Sequence, residues 1–146
     1  MDMKVRKALE TLELKLHSAP KIQIFLSDSW ASAVTLEAGV YAVWTFKPHV
    51  PVYVGQTTSL RHRMRDLGRQ INHTFPRGIA KKMKNDPDDE AVRKAISQTH
   101  VVSYIEVQIG RAELEDYLRL RWRETLGNGP ANRLLRGERY KWITPA

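Results

Sequence analysis

The residues best suited to chemistry in this chain are two tyrosines, a run of arginines and a pair of glutamates. Tyr41 ends the tripeptide Gly39-Val40-Tyr41. Tyr53 opens its near mirror image, Tyr53-Val54-Gly55. Each tripeptide lies in a β-branched and aromatic run that predicts a strand. If the two strands share a sheet face, both phenols converge on one place. A phenol ionises near pH 10, so a tyrosine that activates water needs positive charge beside it. Arg61, Arg63 and Arg65, on the basic stretch that follows, could provide it. An arginine also holds a phosphate through two parallel hydrogen bonds and stays charged throughout. Further on, Glu115 shares a helical face with Leu118 and Trp122, so it is expected on an inward apolar face. A carboxylate there needs a metal or a cation, because an unpaired buried charge is costly. Glu113 is the competing carboxylate and is expected to be more exposed. Either could instead pair with an arginine such as Arg119. A base or oriented water, a Lewis acid and a cation for developing charge are what phosphodiester hydrolysis requires.

The elements that must position these residues follow from periodicity and punctuation. Residues 3–16 place Val5, Leu9, Leu12 and Leu16 at helical spacing, and Pro20 ends that helix. Residues 21–26 alternate like a short strand. Asp28 and Ser29 could cap a short helix through Leu36. Residues 40–45 and 51–55 form a predicted hairpin around Lys47-Pro48-His49. Ser59 is the expected N-cap of a basic helix over 60–67 that stops at Gly68. A second basic helix is expected over 76–84. The acids in Asp86-Pro87-Asp88-Asp89-Glu90 read as the start of the next helix, where they face the positive end of its dipole. A strand over 101–109, a break at Gly110 and a helix over 112–126 complete the order. The fold class is α/β, in the layered α+β sense: a small, mainly antiparallel three-stranded sheet flanked by helices.

The two tripeptides, followed by Arg63, resemble the GIY-YIG nuclease family, from residue 38 to Asn132. The resemblance implies a GIY-YIG-like core with one divalent metal, Mg²⁺ or Mn²⁺, on a glutamate of the last long helix. It points to Arg63 as the phosphate-holding arginine, with Arg61 second. It assigns Tyr41 and Tyr53 to the site wall, one of them positioning or deprotonating the water. Glu115 is favoured over Glu113 as the metal ligand. Pro130-Ala131-Asn132 is similar to the family's Pro-x-x-Asn ending, so Asn132 is a supporting contact. His73 matches a histidine that follows the arginine helix in many members, and His62 could serve instead. Gln56 stands where the DNA-repair excision branch has a lysine. The stretch from Leu126 to Gly129 is longer than usual. Gln56 sets the chain apart from that branch, and the longer stretch departs from the family's pattern before Asn132.

Composition bounds the rest. The 146 residues favour one domain and carry 24 Lys+Arg against 16 Asp+Glu, a net charge of +8. Clustered positive charge suits a phosphate backbone. Arg61, His62, Arg65, Arg69, Lys81 and Lys82 are the expected nucleic-acid contacts. There is no cysteine, which excludes disulfides and thiolate metal sites. No apolar run approaches the roughly 20 residues that span a bilayer. A cytoplasmic protein without a membrane partner is expected. Residues 1–37 form an expected N-terminal extension packed on the core, 38–132 the core, and 133–146 a basic tail with Arg133, Tyr140 and Trp142.

These features support three functions. The first is a metal-dependent DNA endonuclease, standalone and of repair, restriction-like or mobile-element kind. The second is a catalytically silent nucleic-acid-binding module of the same fold. The third is an unrelated scaffold. DNA is the expected partner, RNA is also compatible, and a homodimer would let one site per chain cut both strands.

Overall fold

A computed structural model describes residues 3–24, 28–69, 74–85 and 90–127. The elements run α1 (Met3–Ser18), β1 (Ile22–Gln23), a 3-10 helix (Asp28–Ala33), β2 (Gly39–Thr45), β3 (Pro51–Thr57), α2 (Leu60–Arg69), α3 (Thr74–Met83), α4 (Glu90–Thr99), β4 (His100–Glu106) and α5 (Arg111–Arg121). The sheet has four antiparallel strands in the order β1-β4-β2-β3, one more than the three expected. The extra strand is the alternating segment after Pro20. Its Ile22 and Gln23 pair with Val102 and Val101. The expected strand 101–109 stops at Glu106, opposite Gly39. Val107 then donates its N–H to the Ala38 carbonyl outside the ladder.

Strand alternation sends side chains to two cores. Val40, Ala42, Trp44 and Val54 face α1 and α5, where Leu9, Leu16, Leu114, Tyr117 and Leu118 close over them. Tyr41, Val43 and Tyr53 face the 3-10 helix, α2, α3 and α4, with Leu60, Met64, Leu67, Phe75 and Ile96. The molecule is therefore three layers, with the sheet in the middle. Burying each large aliphatic side chain is worth roughly 1.5–3 kcal/mol.

Polar groups inside the first core are satisfied. The Trp44 indole N–H donates to Ser103 Oγ at 2.9 Å, and Ser103 donates in turn to the Leu16 carbonyl at 3.0 Å. This chain of bonds ties the end of α1 to the sheet. Arg121 donates to Glu13 across the α1–α5 contact at 3.2 Å. Tyr117 also hydrogen-bonds Glu13. Burial, and then that carboxylate, push its phenol up to about 12.

Two ends differ from expectation. Ser59 Oγ is buried without a hydrogen-bond partner among the described residues, so it does not cap α2. The Thr57 hydroxyl bridges the Ser59 N–H and carbonyl instead, each at 3.1 Å. The first N–H groups of α2 are taken by carbonyls from before β2: Leu60 donates to Glu37 at 2.9 Å and Arg61 to Thr35 at 2.9 Å. α5 ends at Arg121 and not near Leu126. Tight turns follow, and the Gly127 N–H then donates to the Val52 carbonyl at 2.8 Å, fastening this segment to the outer edge of β3. The expected acidic helix start at 86–89 and the tail beyond 127 lie outside the described residues. Among the described residues, no helix is long and apolar enough to cross a membrane.

Gly39 and Gly78 differ in a way that can be measured. A Cβ on Gly39 would lie 2.2 Å from the Ile105 carbonyl oxygen and 2.6 Å from Leu60 Cδ1. A Cβ on Gly78, in α3, meets nothing within 4 Å. Gly39→Ala should therefore cost about 3 kcal/mol, the upper part of the usual overpacking range. Gly78→Ala should stabilise by up to about 1 kcal/mol through helix propensity. Urea denaturation of the two variants beside the wild type checks both signs.

Candidate active site

The site is built on the β2–β3 hairpin. Register sets Gly55 opposite Tyr41 and Tyr53 opposite Val43, so the two tyrosines are diagonal neighbours on one face. Their rings are 6.3 Å apart, centroid to centroid, and inclined by 27°. The Tyr41 phenol lies over Gly55. A Cβ there would be 2.6 Å from Tyr41 Oη and 2.7 Å from Cζ. Glycine at this position is thus the condition for seating the Tyr41 ring. The condition for the two phenols to converge, a shared sheet face, is met.

Arg63 comes to this pair from α2. Leu60, Met64 and Leu67 bury one face of that helix against the sheet, and Arg63 lies beside them. Its Nε donates to Tyr41 Oη at 3.3 Å. One terminal nitrogen lies 3.7 Å from Asp66, and the side chain is 27% exposed. Burial weakens its charge. Tyr41, Tyr53 and Asp66 outweigh that and raise its pKa above the ordinary arginine value. Arg61, the other candidate, is used elsewhere: its Nε donates to the Val34 carbonyl at 2.7 Å. It fastens α2 to the 3-10 segment.

Burial pushes the Tyr41 phenol well above its usual pKa. Tyr53 and Glu115 add to the rise, and Arg63 offsets only part of it. This argues against Tyr41 as the group that takes a proton from water. A neutral Tyr41 is suited to hold and orient Arg63. Tyr53, on the same face, contacts Phe75 at 5.8 Å between ring centroids.

Glu115 belongs to the same electrostatic cluster, since its charge is felt at Tyr41. It lies 3.8 Å from Arg119, and each side chain is 21% exposed. The fully inward carboxylate of α5 is Asp116, only 1% exposed, which the heptad-like spacing did not single out. Glu113 and Glu115 are both half-buried, so exposure does not separate them. Position does: a Glu113 oxygen sits by Gly110 in the first turn of α5, where a negative charge favours the helix dipole. Glu115 therefore remains the candidate metal ligand. No group of three His, Asp or Glu side chains with metal-binding geometry occurs among the described residues. One carboxylate facing partly to solvent fits an ion such as Mg²⁺ that keeps most of its water.

The expected nucleic-acid contacts fare unequally. His62, Arg65, Lys81 and Lys82 are exposed. The Arg69 side chain, His73 and Asn132 lie outside the described residues. One pair was not foreseen: Arg111, the first residue of α5, donates through Nε to Gln56 Oε1 at 3.3 Å. Its NH1 also donates to the carbonyls of Val107 and Gln108. Only its place after Gly110, opening the helix that carries Glu115, could have signalled it.

No family model matches this chain, and no curated protein or solved structure does either.

The Tyr41 environment predicts a pH dependence. Tyrosines of the unfolded chain ionise near pH 10, whereas folded Tyr41 and Tyr117 hold their protons to higher pH. Above about pH 10 the unfolded chain thus binds fewer protons, and stability falls as pH rises. Urea midpoints measured from pH 9 to 11.5 should fall, and Tyr41→Phe should flatten that fall.

Proposed function

We propose that this chain is a metal-dependent endonuclease of the GIY-YIG type that hydrolyses phosphodiester bonds in DNA. The observation that carries the proposal is the hydrogen bond from Arg63 to Tyr41, within one cluster with Tyr53 and Glu115. In this reading Arg63 holds the scissile phosphate and meets the charge that develops on it. Tyr41 fixes the direction of the guanidinium, and Tyr53 orients the attacking water. Glu115 would hold Mg²⁺ or Mn²⁺, which when bound supplies a Lewis acid for a phosphate oxygen. His73 and Asn132 are assigned supporting contacts. His62, Arg65, Arg69, Lys81 and Lys82 track the backbone, with Arg61 contributing charge from its anchored position. The setting is cytoplasmic, and a homodimer would present one site to each strand.

Cleavage of supercoiled plasmid, with Mg²⁺ or Mn²⁺ and with EDTA, tests the proposal. Wild type should nick the plasmid only with metal. Arg63→Ala and Glu115→Gln should each lower the rate roughly 10²–10³-fold, the usual cost of losing one charge-stabilising group. Full activity in Glu115→Gln would move the metal ligand elsewhere. Salt-sensitive binding of plasmid, linear and branched DNA without any cleavage would favour the silent binding module.

A further inference from the structure

Tyr53 also lines a cleft that has no part in the proposed reaction. It measures about 410 Å³ and lies between α3 and the hairpin. Its walls include Tyr53, Phe75, Gly78, Ile79, Lys82 and His100. Three of these are rings in contact: between centroids, Phe75 stands 5.8 Å from Tyr53, tilted by 57°, and 5.1 Å from His100, edge to face. Ile79 extends the apolar wall. Burial lowers the pKa of the His100 ring, which favours its neutral form. Among the described residues, the positive charge lining the cleft is that of Lys82, which is exposed, with Lys81 beside it in the chain.

We infer that this cleft receives one unpaired nucleobase of the bound strand. The volume lies in the usual range for small-molecule sites. Aromatic and aliphatic walls accept any base, because every base has a π-face. A lysine at the cleft suits the phosphate of the same nucleotide, whereas a purely apolar occupant leaves that charge unused. Tyr53 is the shared wall: it stacks on Tyr41, which holds Arg63, and it also lines the cleft. A base seated here would belong to a nucleotide near the phosphate at Arg63, with Tyr53 and Tyr41 between them. A base in intact duplex must first leave its stack, at a cost of a few kcal/mol that is least where it is already unpaired. The site accordingly selects mismatched, looped or single-stranded DNA over perfect duplex. The nucleic-acid identity of the occupant rests on the nuclease reading.

Gly78 gives the test. It lines the cleft, and a Cβ there meets nothing within 4 Å, so a side chain can start at this position without a clash and extend into the cleft. The probe is a duplex with one 2-aminopurine, placed either opposite thymine or opposite an abasic site. Both forms carry the same number of phosphates, so their electrostatic affinities match. Binding is measured by fluorescence in EDTA, where cleavage plays no part. The wild type should bind the unpaired form about tenfold more tightly, the effect of a single stacked base. Gly78→Leu should bring that ratio to about one. Its melting temperature should stay at or above the wild-type value, because leucine is the better helix former. Equal affinity of the wild type for both forms, or a preference that survives in folded Gly78→Leu, would overturn the inference. A preference seen in a protein that cleaves no DNA would sustain the base site while removing the nuclease reading. Cleavage without the preference would do the reverse.

Discussion

Much of this structure depends on how closely Tyr41 lies on Gly55. The phenol occupies the space where any side chain at 55 would begin. That contact is possible only in the register that sets the two residues opposite each other. A slip of one residue would send Tyr41 to the α1–α5 face and leave Arg63 without its acceptor. Gly39 acts in the same way one layer out. Its missing Cβ lets Leu60, and with it the start of α2, come down onto the sheet. Two absent side chains thus set the distance between a phenol and a guanidinium.

The electrostatics follow from that closeness. Burial keeps Tyr41 protonated, and the phenols and Asp66 favour the charge on Arg63. The cluster is therefore one fixed cation held by a neutral oxygen. A carboxylate stands near enough for its charge to be felt. Such a group changes little on meeting an anion, which is what preorganised charge stabilisation requires. The opposite face of the sheet contributes only that carboxylate, Glu115 on α5. It is closed by α1 and α5 and held by the Trp44–Ser103–Leu16 bonds.

What could be seen in the sequence had a local cause. The hairpin, the basic helix after it and the helix boundaries within a few residues came from β-branched runs, glycines and charge. The shared face of Tyr41 and Tyr53 was only a condition in the sequence, and the hairpin register decides it. What could not be seen depended on distant partners. Ser59 has the right residue type for a cap, but the carbonyls of Thr35 and Glu37 reach the helix start first. Arg61 and Arg63 are equivalent by type, and only the fold sends one to a carbonyl and the other to a phenol. On α5 the spacing identified an inward face but chose Glu115 for it, where the buried residue is Asp116. The fourth strand was visible as alternation, yet two residues long it gave no sign of its partner.

The two carbonyls at the head of α2 also bear on what can be moved as a piece. Residues 28–38 look like a lead-in to the hairpin. They nevertheless complete the helix that carries Arg63, through Thr35, Glu37 and the Val34 oxygen that anchors Arg61. A graft of the hairpin and its helix into another scaffold would arrive with two unsatisfied N–H groups and an unseated arginine. The smallest portable unit therefore begins at or before Val34. Insertion or fusion at the Ala38–Gly39 junction would separate a helix from its own first turn.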